Sequence, residues 1–495
     1  MRTTHGSLKK IAFGSLFAVL IAIILLPYSK NGFWADDALN SQTWGLINRF
    51  DSSVIEFSSS VIRSWLVEYG RILLPWPVIY SFFYIFKSEL AVRLADMAMF
   101  IAHVSLTILL LRRIGISWRT IGFFILSLLA LLQIRDSADP LAAFAGFSQG
   151  VGILLTSSLL TLHKWHKTKS AAWLVASSLI AALSMTFYEI NSVYVPIAIV
   201  TILTSNHSRK IRDTAIIVVP FIIFITANLY VKQIALTPYA GAEVGNLSAV
   251  PATFLKQLFA TLPGSFYLSA GKNEFPPSEL FSAASTSQLA WAVMILWSAI
   301  AIIVLRREPT KQPVMLLPIF AAGMLLLVPP VLISISAKYQ LGLTWGYAHI
   351  PVYYQCFGLA FLLAAAVDQF SRGAIAKWAI ACVPLVGLGI ALNWTMNMHQ
   401  SAAWDSVLRE PRDSLVSAMQ SGIFDGVRDG DVVRIDGQPI HINGNLIYQT
   451  IEKNFSIPNE AAISGWFESP PRADAKVYRL VRDPAVNNQW RVVPQ

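Results

Sequence analysis

The sequence predicts an all-α polytopic membrane protein with a small α/β domain at its C-terminal end. Of its 495 residues, 55% are hydrophobic and only 13% are charged, which is more apolar sequence than one soluble core of this size would bury. The basic residues form short clusters between long apolar runs, as in the cytoplasmic loops of membrane proteins. After residue 394 this pattern ends and the chain becomes polar.

The apolar runs predict about eleven transmembrane helices, because a helix needs roughly 20 apolar residues to cross a bilayer. The first run follows Lys9 and Lys10 and has no small-residue cleavage site after it, so we interpret it as an uncleaved helix. The predicted spans are residues 11–28, 94–111, 120–134, 146–163, 171–187, 191–203, 214–231, 288–305, 313–335, 352–368 and 376–394.

The basic clusters predict the orientation of the chain. If the N-terminus is cytoplasmic, every cluster falls on the cytoplasmic side. We therefore expect a multi-pass protein of the cytoplasmic (inner) membrane with an extracytoplasmic, periplasmic C-terminal domain. The clusters are Lys9/Lys10, Arg112/Arg113/Arg119, residues 163–167 (HKWHK), Arg209/Lys210/Arg212, Arg306/Arg307/Lys311 and Arg372/Lys377.

This orientation requires that residues 72–86 do not cross the membrane. The run is short, contains Pro75 and Pro77 near its start, and is rich in Trp, Tyr and Phe, a composition typical of the membrane interface. We predict an interfacial helix within a first outer loop that covers residues 29–93. The alternative is a short kinked span, which would place Arg112, Arg113 and Arg119 outside.

The chain divides into a transmembrane domain, residues 1–394, and a small extracytoplasmic α/β domain, residues 395–495. The second part holds 10 Lys/Arg and 12 Asp/Glu and is therefore slightly acidic. Residues 403–419 could form an amphipathic helix. The segments DGDVVRIDG, AKVYRLV and QWRVV have the residue pattern of strands, and the turn-rich RDPAVNN separates the last two.

Several functional classes are disfavoured. The formal charge of +10 is spread over membrane loops rather than along one face, so we expect no nucleic acid as a partner. Cys356 and Cys382 lie inside apolar runs, which indicates neither a disulfide framework nor a cysteine metal site. The chain also lacks GxxxxGK[ST], HExxH, GxSxG and dinucleotide-binding motifs, which disfavours nucleotide-driven transport.

Carboxylates in unusual settings occur in the predicted outer segments. Asp36 and Asp37 are adjacent just after the first span, and Arg135, Asp136 and Asp139 follow the third. One carboxylate of the first pair could act as a general base toward a hydroxyl group while the other holds a cation or orients its neighbour. Asp136 and Asp139 could form a second acidic wall, and with the first pair bind a divalent cation, the only cofactor considered. The simpler alternative is that these charges solvate a loop.

Basic and polar residues near the interfacial helix could bind an anion. Arg71 follows Glu68 and precedes the helix, and a guanidinium group matches the geometry of phosphate oxygens. For Arg93, after the helix, we favour contact with lipid headgroups.

Other candidates lie later in the chain. Lys338 and Tyr339 begin a late outer loop that ends near His349, and the cation could hold a lipid-borne phosphate. A lone histidine is more often structural than catalytic. Glu189 lies between two apolar runs, where an ionisable group suggests a functional site.

The order of these features resembles the GT-C superfamily of membrane glycosyltransferases. The resemblance is carried by the first span, the outer loop that opens with the acidic pair, the aromatic segment 72–86, the following SELAVRLADMAMFIAHVSLTILLLRRIG, and a span that ends in Arg and Asp. It covers roughly Phe33 to Leu203 and is nearest to the branch of protein O-mannosyltransferases and lipid A aminoarabinose transferases. The loop KYQLGLTWGYAHIPVYYQ is also suggestive.

The resemblance implies an enzyme that transfers a sugar, usually with inversion, from a polyprenyl-phosphate carrier to an acceptor on the outer face of the membrane. It places the first-loop catalytic carboxylate at Asp36 or Asp37 and the second-loop carboxylate at Asp139 or Asp136. It places Arg71 near the carrier phosphate. Many relatives have Asp-Glu where this chain has Asp-Asp, and the spacing from Arg135 to Asp139 is short.

The predicted function is therefore transfer of a sugar from a polyprenyl-phosphate-linked donor to a glycan, lipid or protein acceptor, in contact with membrane lipid. One alternative is a flippase or transporter of lipid-linked sugars, which predicts charged residues along a whole pathway. A polysaccharide polymerase or ligase would share the donor and the topology. A structural membrane subunit is the fourth possibility.

Overall fold

The structure is a computed structural model of the full chain. It describes residues 2–33, 36–41, 43, 47, 51–86, 88–135, 139–308, 316–371, 373–406, 421–423, 426, 432–435, 473–474, 476–483 and 489–494. This part of the chain is mostly α-helical, with a small sheet near the C-terminus.

The predicted spans coincide with helices, as expected from their long apolar runs. Within the described ranges, 7 helices are long and apolar enough to cross a membrane, and others are apolar but shorter. The α-helices of the described residues are α1 (Arg2–Lys30), α2 (Asp36–Asn40), α3 (Val54–Val67), α4 (Trp76–Ile85), α5 (Glu89–Arg113), α6 (Trp118–Leu131), α7 (Phe147–Thr168), α8 (Ala171–Phe187), α9 (Tyr194–Leu203), α10 (Lys210–Ile234), α11 (Val250–Phe259), α12 (Lys272–Glu274), α13 (Pro277–Thr286), α14 (Gln288–Leu305), α15 (Leu316–Ile335), α16 (Ala337–Gly342), α17 (Val352–Phe370) and α18 (Gly373–Trp404).

Helix α4 is too short to cross a bilayer alone. Its 10 residues rise about 15 Å, which is half of the roughly 30 Å of a hydrocarbon core. Pro75 and Pro77 lie at its first turn, where a missing backbone N–H costs no hydrogen bond. Just before the helix, the Leu74 amide donates to the Thr186 carbonyl at 2.9 Å, which fixes this segment to the end of α8.

The centre of the helical bundle is α17. It packs against α6 and α15 and is buried along most of its length, whereas α10 lies at the edge and has few buried residues. Gly358 allows the close approach of α17 to α15, because a Cβ atom there would lie 2.5 Å from the Ala322 carbonyl oxygen. Helix α17 follows the segment 343–351 that borders the candidate site.

The described C-terminal residues form a three-stranded sheet. Its strands are β1 (Val432–Ile435), β2 (Val477–Asp483) and β3 (Gln489–Pro494), in the order β1-β2-β3. Strand β2 pairs in parallel with β1 and antiparallel with β3. All three predicted strands are confirmed. The predicted helix 403–419 lies largely outside the described residues, and the domain boundary at 394/395 stays a prediction.

Candidate active-site cavity

A cavity of about 780 Å³ lies where the first outer loop meets the loop before α7 and the segment that joins α16 to α17. Its volume is typical of a small-molecule site. The residues that line it include six of the predicted site residues: Asp36, Asp37, Arg71, Lys338, Tyr339 and His349. Glu189 reaches this group through an ion pair with Arg71.

Asp37 is held by the protein and has no exposed surface. Its Oδ2 accepts a hydrogen bond from Arg93 Nη1 at 2.8 Å, and its Oδ1 accepts one from the Ala145 amide at 2.9 Å. Burial raises the pKa of Asp37, while the guanidinium of Arg93 and the Ala145 amide oppose that rise. Both oxygens are therefore used for structure, which leaves Asp37 poorly suited to take a proton from a substrate.

Asp36 is in the opposite situation. Its side chain is exposed to the cavity, and within the described part of the chain its carboxylate has neither a hydrogen-bond nor an ion-pair partner. Burial of its surroundings, followed by the charge of Asp37, raises the pKa of Asp36 to about 6, and Lys338 opposes the rise. The exposure and the burial are compatible, since the carboxylate faces the open space of the cavity while protein surrounds that cavity. A carboxylate with this pKa is a suitable general base.

Arg93 fixes the first outer loop beneath the cavity. Only 1% of its surface is exposed. Besides Asp37, it donates from Nη2 to the Gly32 carbonyl at 2.7 Å and from Nε to the Asn31 carbonyl at 3.3 Å. The expectation that Arg93 contacts lipid headgroups is therefore wrong. The reason is that a buried carboxylate and two turn carbonyls approach it in the folded chain.

Arg71 also lines the cavity and is neutralised by Glu189. Its Nε and Nη2 donate to the two carboxylate oxygens of Glu189 at 2.7 and 2.6 Å. The side chains are 17% and 37% exposed, respectively. This fork-to-fork geometry is the strongest form of an Arg–carboxylate pair. The carbon at the centre of the guanidinium lies 5.9 Å from the centre of the Trp65 ring.

Lys338 is a cation without a carboxylate partner in the described structure. Its Nζ donates to the Tyr239 hydroxyl at 3.2 Å and lies 5.1 Å from the centre of that ring. An ammonium group has three donors, so two remain for a ligand. Lys338 is therefore the cavity residue best suited to an incoming anion.

His349 is anchored through its backbone. Its amide donates to Gln257 Oε1 at 2.9 Å, and its carbonyl accepts from Gln257 Nε2 at 3.3 Å. Burial, together with the charges of Lys338 and Arg71, lowers the pKa of His349 to about 3. Its buried Nδ1 has no hydrogen-bond partner in the described structure. The imidazole is thus neutral at physiological pH and can form a hydrogen bond but cannot act as a charged acid.

Asp139 does not line the cavity. Its Oδ1 accepts from the Leu141 and Ala142 amides at 2.9 and 3.0 Å, and its Oδ2 accepts from the Arg135 amide at 3.2 Å. Arg135 in turn donates to the Ala260 carbonyl at 2.8 Å and also lies outside the cavity lining. The second acidic wall opposite Asp36 is therefore not formed by Asp139.

Glu68 is another predicted residue that is not brought to the cavity. Glu68 caps the end of α3 on the surface and accepts from the Ser64 hydroxyl at 2.9 Å. Asp136 lies outside the described residues. No group of three or more potential His, Cys, Asp or Glu metal ligands occurs within the described ranges, so Asp36, Asp37 and Asp139 do not form a three-ligand site.

Aromatic residues that the sequence did not single out complete the lining. Trp65 and Trp76 stack with ring centres 5.8 Å apart and an interplanar angle of 24°, and Tyr188 and Tyr239 also face the cavity. Trp76 belongs to the aromatic run 72–86. The sequence therefore contains a signal at this position, but that signal equally predicts an interfacial helix. Tyr239 lies in a loop whose sequence offers no comparable signal.

The fold of this chain is similar to that of a solved structure, but its sequence matches no known family. No protein-family model matches it, and no curated protein matches its sequence. Its fold is similar to the crystal structure of ArnT from Cupriavidus metallidurans bound to undecaprenyl phosphate. The match covers 98% of this chain and 97% of that chain, with 12% sequence identity and a TM-score of 0.48. A likeness at this level assigns no residue roles.

Proposed function

We propose that this protein is a membrane glycosyltransferase that moves a sugar from a polyprenyl-phosphate-linked donor to an acceptor hydroxyl. The observation that carries the proposal is the presence, in one cavity, of a carboxylate and a cation that both lack an opposite charge. Asp36 is the proposed general base, and Lys338 is the proposed phosphate-binding residue. Arg71 assists Lys338, since both cations lie near the Tyr239 ring and Nη1 of Arg71 takes no part in the pair with Glu189.

In the proposed reaction, the carboxylate of Asp36 and the ammonium group of Lys338 have separate roles. Asp36 accepts the proton of the acceptor hydroxyl as its oxygen attacks the anomeric carbon of the donor sugar. The bond from that carbon to the phosphate oxygen breaks, and the polyprenyl phosphate leaves with the electron pair. Lys338 stabilises the charge that develops on the leaving phosphate. Attack from the face opposite the phosphate gives inversion at the anomeric carbon.

The number of unpaired cations at the cavity supports a donor with a single phosphate. Among the described residues that line the cavity, the Asp, Glu, Lys and Arg side chains are those of Asp36, Asp37, Arg71 and Lys338. Arg93 neutralises Asp37 and Glu189 neutralises Arg71, so Lys338 is the one unpaired cation of this set. A sugar phosphodiester carries one negative charge, whereas a diphosphate-linked donor would carry two. This favours transfer from a monophosphate carrier over polymerase or ligase chemistry with diphosphate-linked substrates.

The proposal places the reaction at the extracytoplasmic face of the cytoplasmic membrane. With a cytoplasmic N-terminus, the cavity segments around Asp36, Arg71 and Lys338 all belong to predicted outer loops. The acceptor is a glycan, a lipid or a protein that presents a hydroxyl at this face. The donor enters from the membrane, where its polyprenyl chain is soluble.

The proposal is tested by reconstituting the full chain in liposomes with a panel of polyprenyl-phosphate sugars and acceptor-containing membranes. Release of polyprenyl phosphate and labelling of the acceptor are measured. The Asp36→Asn variant should lose about 10²- to 10⁴-fold in rate, as expected for removal of a general base. Asp51→Asn is the matched control, because Asp51 is an exposed residue of the same outer loop and is not part of the cavity lining.

Two outcomes would contradict the proposal. If Asp36→Asn transferred sugar at the wild-type rate, Asp36 would not be the general base. Movement of a labelled lipid-linked sugar between leaflets, with no transfer to any acceptor, would support the flippase alternative instead.

A further inference from the structure

A segment of the chain connects the two sides of the cavity. Residues 236–245, here called the strap, follow α10 and lead toward α11. One end is bound to the first outer loop and the other to the residues at the end of α15 and the start of α16. The backbone hydrogen bonds are Leu236 to Val67 (3.3 Å), Thr237 to Glu68 (2.8 Å), Tyr239 to Tyr69 (3.0 Å), Gly245 to Ile335 (2.8 Å) and Ala337 to Glu243 (2.9 Å), each from amide to carbonyl.

The strap places Tyr239 next to both cations of the cavity. The centre of its ring lies 5.2 Å from the central guanidinium carbon of Arg71 and 5.1 Å from Lys338 Nζ. Both separations are within the range of cation–π attraction. The hydroxyl of Tyr239 also accepts the hydrogen bond from Lys338. One side chain thus contacts two cations that come from distant parts of the sequence.

We propose that Tyr239 is a positioning residue for the carrier phosphate. This inference rests on the proposed function, because it concerns how the phosphate end of the donor is bound. A lysine side chain is long and flexible, and ordering it on binding would weaken affinity. Tyr239 orders Lys338 before the ligand arrives and keeps Arg71 near it, while the remaining ammonium donors of Lys338 stay free for phosphate oxygens.

The alternative role for Tyr239 is purely structural, in which its ring packs the strap against Trp65, whose ring centre is 5.5 Å away. The two roles make different predictions for Tyr239→Phe. That variant keeps the ring and the cation–π contacts but removes the oxygen that accepts from Lys338 and that is also hydrogen-bonded to Tyr339. A positioning role therefore predicts weaker phosphate binding at unchanged stability, whereas a structural role predicts no loss of binding that is specific to the phosphate.

The experiment measures binding of geranylgeranyl phosphate to the purified full chain in detergent, by titration calorimetry. Geranylgeraniol, which has the same chain without phosphate, separates phosphate recognition from chain binding. Tyr239→Phe should weaken binding of the phosphate about fivefold, the usual effect of one lost hydrogen bond, and leave the affinity for the alcohol unchanged. The matched control is Tyr69→Phe, since Tyr69 also contacts the Trp65 ring but does not line the cavity.

The outcomes separate this inference from the proposed function. If wild-type protein binds the alcohol as tightly as the phosphate, the proposed function fails. If the phosphate is preferred and Lys338→Met removes that preference while Tyr239→Phe leaves it intact, the function stands and the positioning role is overturned. A loss of affinity for both ligands together with a lower Tm would also overturn the positioning role, in favour of a structural one.

Discussion

Two sets of charged side chains differ in their pairing: a buried layer, in which every carboxylate has donors, and the residues Asp36 and Lys338 at the cavity surface. In the buried layer, defined as Asp37, Arg93, Arg135 and Asp139, the residues are at most 2% exposed and each carboxylate oxygen has a donor. At the cavity surface, Asp36 and Lys338 are exposed, and neither has an opposite charge as a direct partner in the described structure.

This difference shows how one acidic pair can serve two purposes. Removing a partner from a buried ion pair is costly, because a charge is left in a low-dielectric environment. Asp37 and Arg93 are therefore committed to holding the loop. An unpaired carboxylate at a cavity surface costs stability as well, but it remains available to a substrate. Adjacent residues of one type thus differ in role because of their partners.

The largest stability effect is expected in the buried layer. Asp37→Asn leaves the guanidinium of Arg93 without its counter-charge, so we expect a loss of about 3 kcal/mol in the free energy of unfolding. The measurement is the apparent Tm of the purified variant in detergent. Asp51→Asn serves again as the control. An unchanged Tm for Asp37→Asn would show that the pair does not hold the loop.

A smaller effect, on binding, is expected at the cavity surface. Lys338→Met removes the unpaired cation, and we expect the KM for the donor to rise about tenfold, in line with the loss of one hydrogen bond to a charged group. The apparent Tm should stay near that of the wild type. Lys272→Met is a suitable control, since Lys272 is exposed and does not line the cavity. Equal KM values for both variants would show that Lys338 does not bind the donor phosphate.

The smallest expected effect is on the stability of the Asp36→Asn variant, and it tests whether Asp36 is unpaired. Because the pKa of Asp36 is raised to about 6, its ionisation is less favourable in the folded than in the unfolded chain. Protonated Asp36 therefore contributes to the free energy of unfolding at any pH below the pKa that Asp36 has in the unfolded chain. This contribution is lost as the pH rises through about 6. Asp36→Asn should therefore raise the apparent Tm modestly at pH 8 and leave it nearly unchanged at pH 4. A lower Tm at pH 8 would mean that Asp36 has a stabilising partner.

Much of the fold could be predicted because its signals are local. The length and hydrophobicity of each run predict a helix, Pro75 and Pro77 mark the start of α4, and alternating residues predict β2 and β3. These patterns depend on neighbours in sequence. They do not depend on which helices pack together.

The site could be predicted only in part because pairing depends on tertiary contacts. Asp36 and Asp37 look alike in sequence, and only the approach of Arg93, 56 residues from Asp37, distinguishes them. The role of Tyr239 depends on its proximity to Lys338, 99 residues away. Asp139 was a reasonable candidate by position, but its oxygens are used by amides of its own loop.

The pH dependence of kcat/KM for the donor tests most directly whether Asp36 is the general base. The base must be ionised in the free protein, so activity should be full above pH 7 and fall as pH decreases through about 6, the pKa of Asp36. The residual activity of Asp36→Asn should lack this inflection. A profile without an inflection near pH 6 in the wild type, or the same inflection in Asp36→Asn, would contradict the assignment.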